Sequence, residues 1–266
     1  MGQSPGFFGS IFRDVKYKML TMAMSDPFAD LRGESLVDGL VEMIRSRRIS
    51  NPISVIDAHD DPVAVASALN AGVKKLYLEY HDVPSMIAAG NLGLDYCLRK
   101  SAADSVPDKR NELRKLGKTI AFNTAANCWP GWGDPGVSIE EAHMMAGLKL
   151  ATQSRALVQE LALGPREQAT AHWLVGALEM AIGRFDTALV AFKQAEEIFL
   201  TADATSAHAL MARGYSALVR KADARSRAEG VDLFRETLDR LRTDGSKDAL
   251  FFAEQLVTAD RLLLEK

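Results

Sequence analysis

The residue types best suited to chemistry gather in three places. The stretch FNTAANCWPGWGDPG, residues 122–136, holds Cys128, Trp129 and Trp132, with Gly131, Gly133 and Gly136 in G-x-G-x-x-G spacing. That spacing lets a backbone turn closely around a pyrophosphate when a strand precedes it and a helix follows it. Here a helix follows, but the preceding residues read as a helix end, and Trp132 and Pro135 crowd the turn. A dinucleotide site is therefore not expected. Cys128 lacks the local signature of a catalytic thiol. The segments DAHDD (Asp57 to Asp61) and YHD (Tyr80 to Asp82) set His59 and His81 beside carboxylates, which are ligand types of a transition-metal site. Asp61 and Asp82 already have work, because each precedes a first-turn proline and can cap a helix. No H-E-x-x-H pair or G-x-S-x-G elbow occurs. The expectation is no catalytic residue, no metal ligand and no cofactor.

The same stretch has a second meaning as a long corner between helices. Pro130 and Pro135 restrict the chain while the glycines permit sharp bends. Trp129 ends the helix that carries Leu116 and Ile120 and is expected to be buried against the next helix. Trp132, between two glycines, is the better candidate for exposure and for contact with a partner.

The elements that position these residues are overwhelmingly helical. Apolar–polar alternation appears only in PISVIDA, Pro52 to Ala58, enough for one short strand. From Pro62 onward, apolar residues recur at helical spacing between clear stops. Asp61-Pro62 and Asp82-Val83-Pro84 open helices, KSAADSVPDK breaks one, and Ser138 with Glu141 reads as a capping box. Gly164-Pro165 and Gly183-Arg184-Phe185-Asp186 are further breaks, with helices starting near Thr187, Thr205, Ala228 and Lys247. Long helices with short breaks imply antiparallel hairpins.

Composition agrees with a globular chain. At 266 residues, 47% hydrophobic and 25% charged, it can bury a full core as one large or two small domains. A net charge of −3 gives no support to a nucleic-acid partner. Cys97 and Cys128 are too few for a disulfide framework, and a reducing cytoplasm fits them best. No apolar run reaches the ~20 residues that span a bilayer. The N-terminus lacks the order of a secretory signal. Phe7, Phe8, Ile11, Phe12, Val15 and Met19 can form an apolar stripe, but Met24-Ser25-Asp26-Pro27-Phe28 reads like a natural start. Residues 1–61 are expected to be an N-terminal extension, partly helical or disordered, ahead of a helical domain over 62–266.

Within that domain, Gly176, Ala188, Phe192 and Ala195 stand at offsets where small residues let two helices cross closely and a phenylalanine fills the groove beyond. With Gly183-Arg184-Phe185 between them, they resemble the tetratricopeptide repeat, a helix-turn-helix unit of about 34 residues. Trp173 lies one residue from the family's usual tryptophan position, while Glu179 and Leu200 replace its tyrosine and proline. Weaker units surround Gly90, Leu94 and Cys97, then Leu113 to Ile120 with Gly147, Ala151 and Ser154, then Gly214 and Tyr215 with Gly230, Phe234 and Thr237. The resemblance covers residues 62–242. It implies an all-α, right-handed stack of antiparallel helix hairpins, closed by a capping helix over residues 246–265. The implied function is a non-catalytic scaffold for a protein or peptide partner. Its candidate contacts are Asn123, His172, Glu179 and Arg213 on first helices, with Trp132 on the loop. The rival is an enzyme or small-ligand sensor whose pocket is walled by Trp129–Gly136, with Asn123, Asn127 and Asp134 beneath the rings.

Overall fold

A computed structural model describes residues 34–46, 52–202 and 206–264 of the chain. The stripe of Phe7, Phe8 and Phe12 lies outside them. Of the described residues 84% are helical and none is in a strand. The helices are α1 (Glu34–Ser46), α2 (Pro52–Asp57), α3 (Pro62–Leu78), α4 (Val83–Ala103), α5 (Pro107–Asn127), α6 (Glu141–Glu160), α7 (Pro165–Ala181), α8 (Phe185–Ala202), α9 (Ala207–Ala222), α10 (Arg227–Asp244) and α11 (Lys247–Leu264). A 3-10 turn, Pro130–Trp132, separates α5 from α6. From α3 onward each helix packs on the next, and α11 folds back onto both α9 and the 3-10 turn.

Two local expectations need correction. Residues Pro52–Asp57 form a helix, not a strand. Ile56 alone of the apolar residues there is fully buried, while Ile53 and Val55 both face solvent, so no apolar strand face exists. Asp57 instead reaches Arg99 and Lys100 on α4, each at 3.0 Å. The capping box before α6 is also shifted. Glu140, not Ser138, is the N-cap, and its N–H donates to His143 Nδ1 at 3.1 Å. The turn closed by Val137 N–H on Asp134 C=O keeps Ser138 outside the helix.

Other helix starts follow the expected chemistry. Asp61 accepts from the N–H groups of Val63 and Ala64, both at 3.0 Å, and Asp82 from Ser85 at 3.0 Å. Helices α7 and α8 cross where a Cβ on Gly176 would meet the Phe192 ring at 2.8 Å and the Ala188 carbonyl at 3.2 Å. Ala188, Phe192 and Ala195 are fully buried there. Within residues 34–61, α1 packs on α3 through buried Leu40, Val41 and Met43.

Candidate functional site

The corner after α5 is the densest aromatic feature of the fold. Helix α5 is buried on every side over its last two turns, so it delivers Cys128 and Trp129 into the interior rather than to a surface loop. Trp129 is fully buried. Its ring lies 5.9 Å from Trp173 of α7, 5.7 Å from Tyr215 of α9 and 4.9 Å from Trp132, each edge to face. Trp173 and Tyr215 are 5.6 Å apart, and Tyr215 stacks on Phe192 of α8 at 5.2 Å. The expected burial of Trp129 is present, and its ring contacts come from α7, α9 and the loop, where the following helix α6 was expected.

The three glycines serve this corner and not a phosphate. Any side chain on Gly131 would collide with the Trp129 indole beneath it. Gly133 and Gly136 have φ of +65° and +79°, a region open to glycine at little cost. A Cβ on Gly133 would meet Leu262 and Thr258 of α11 at 3.0 and 3.3 Å. One on Gly136 would meet the His81 ring at 2.7 Å. Asp134 accepts a hydrogen bond from the Tyr77 hydroxyl of α3 at 2.6 Å. The loop is therefore clamped at both ends, and the element before it is a helix, which removes the strand that a dinucleotide fingerprint requires.

Trp132 is half-buried, and its indole N–H donates to the Ala126 carbonyl at 2.7 Å. The other proposed contacts are scattered. Asn123 is buried and donates to Asn70 of α3 at 2.9 Å. His172 and Glu179 share one face of α7, a different face from Trp173. Burial and the nearby Arg155 hold the His172 imidazole below its ordinary value, so it is neutral at pH 7. Glu179 pairs with Arg184 at 3.7 Å, and Arg213 donates to Glu236 of α10 at 3.2 Å. The structure thus brings Trp132 to the aromatic junction, buries Asn123 between α5 and α3, leaves His172 and Glu179 together on one face of α7, and pairs Arg213 with α10. Trp173 and Tyr215 were not singled out as site residues by sequence reasoning. Their signal was the near-match of Trp173 to a repeat position and the Gly214-Tyr215 pair on a later first helix.

The residues weighed for chemistry are placed plainly. Burial pushes the thiols of Cys97 and Cys128 up to about 12, so neither forms a thiolate nucleophile at neutral pH. His59 accepts from the Asp61 N–H at 3.4 Å, and Asp82 lies 3.7 Å from Arg45 as well as capping α4. Among the described residues no cluster of three His, Cys, Asp or Glu side chains can hold a metal ion. No helix among them is long and apolar enough to cross a membrane. One buried group had no sequence signal. Lys118 of α5 is 1% exposed, and burial holds its amine below the ordinary lysine value, opposed by Glu167.

The fold and the corner define an all-α stack of packed helices around an aromatic junction. Scanned against known protein families the chain matches none, and no curated protein matches it.

Proposed function

We propose that the protein is a non-catalytic binding protein, built like a tetratricopeptide-repeat array, that holds a protein or peptide partner through the Trp132 corner. The carrying observation is the state of Trp132. A large aromatic ring is only partly buried, on a loop fixed by its own indole hydrogen bond, by the Tyr77–Asp134 bond and by the packing of Gly133 on α11. Binding hot spots are rich in such rings, and a residue already held in place loses little freedom on association. The Gly176, Ala188, Phe192 and Ala195 seam supports the repeat reading, because those residues make the close crossing that the repeat uses.

The test is affinity capture from the source cells with the full chain and its Trp132→Ala variant, read by quantitative mass spectrometry. A specific partner should be retained by the parent and lost by the variant at unchanged helicity. Equal recovery by both would remove Trp132 from the interface and overturn the reading.

A further inference from the structure

Helix α11 packs on α9 and on the 3-10 turn that carries Trp132. Toward α9, a Cβ on Gly214 would collide with Leu256, the Phe252 and His208 rings lie 4.9 Å apart, and Lys221 donates to Asp260 at 2.7 Å. Toward the loop, Thr258 and Leu262 close on Gly133. Gln255 shares a helix stripe with Ala259 and Leu262, beside the stripe of Phe252, Leu256 and Asp260, so it stands between the two contacts. It is 3% exposed, and neither atom of its amide has a hydrogen-bond partner.

A buried amide without partners has lost its hydration for nothing, and it weakens the face that holds it. The crossing of α7 on α8 has no such defect, because Gly176, Ala188, Phe192 and Ala195 carry no polar side chain. The link from α10 to α11 is Gly245 and Ser246. Gly245 has φ of +66°, and a joint without a Cβ can swing through backbone angles closed to other residues. We propose that α11 is a hinged lid on the aromatic corner, turning about Gly245, and that lifting it bares the 3-10 turn with Trp132.

Three sets of residues divide the work. Burial of Phe252, Leu256 and Ala259 keeps the closed state the major one. Lys221 and Asp260, both mostly buried, are the clasp, since the pair joins α9 to α11. Gln255 acts the other way, because its amide regains water when the lid lifts. The lid is a property of the free chain and does not depend on whether a partner binds at Trp132.

Hydrogen–deuterium exchange of the full chain, read by mass spectrometry on peptides of α7, α8 and α11, tests it. The lid predicts that amides in the middle of α11 exchange faster than those of α7 and α8, through an opening that leaves the α7–α8 crossing protected. Gln255→Met puts an apolar side chain of similar shape in place of the amide and should slow α11 exchange by about tenfold, with α7 unchanged. Asp260→Asn removes the charge partner of Lys221 and should speed α11 exchange by about tenfold. Should Gln255→Met not fold, Asp260→Asn decides alone. Exchange of α11 in step with α7 and α8 in the parent, or α11 rates that the variants do not move relative to α7, would overturn the lid and make α11 a fixed part of the core.

Discussion

Lys118 is the residue that sequence reasoning had least means to find. A lysine in a helix is normally a solvated charge, and nothing in NELRKLGKTI marks this one as interior. It lies on the inward side of α5 with Gly117 and Ala121, and the Ser154 hydroxyl of α6 donates to the Lys118 carbonyl at 3.1 Å. The consequence is testable through pH. Burial lowers the folded-state value, so between that value and the ordinary ~10.4 the unfolded chain binds more protons than the folded one. Stability gains from this residue as pH rises through that window, and the cost is fully present below it. Lys118→Met should therefore melt higher than the parent at pH 7, and the gap should narrow toward alkaline pH. Parallel melting curves across that range would show that the amine reaches solvent. Asn123 illustrates the opposite case. Its position on a first helix was readable, but its partner Asn70 lies 53 positions away and only the packing of α3 on α5 reveals it.

At the scale of elements, the punctuation was legible and the exceptions have local causes. Asp61, Asp82, Pro165 and Gly183 mark helix ends where the chain makes them, because caps and first-turn prolines act through adjacent backbone groups. PISVIDA failed because three apolar residues are too few to distinguish period 2 from 3.6, and the packing of Ile56 on the core decided for helix. The Ser138 cap failed because the turn at Gly136 acts before the capping box does. The seam between α7 and α8 was legible because small residues at fixed offsets have few other uses. Ala188→Leu should destabilise the fold by about 1–3 kcal/mol, since the added carbons have no space beside Gly176. An unchanged melting temperature would place Ala188 outside the crossing.

At the scale of the molecule, the Trp129 corner ties together parts of the chain that are remote in sequence. Trp173 and Tyr215 come from helices later in the array, α11 returns from the C-terminal end to meet Gly133, and Tyr77 reaches in from α3. Sequence reasoning identified the corner by its composition and assigned Trp129 to the interior. It did not find the ring of partners, because that depends on how successive hairpins are rotated, and no local pattern encodes the rotation. The division of labour between the two tryptophans carries the account, and equilibrium denaturation of Trp129→Ala and Trp132→Ala tests it most directly. Trp129→Ala should cost about 3–5 kcal/mol, the range for a buried large aromatic. Trp132→Ala, whose ring is half-buried, should cost clearly less. Equal and small losses for the two variants would contradict the account.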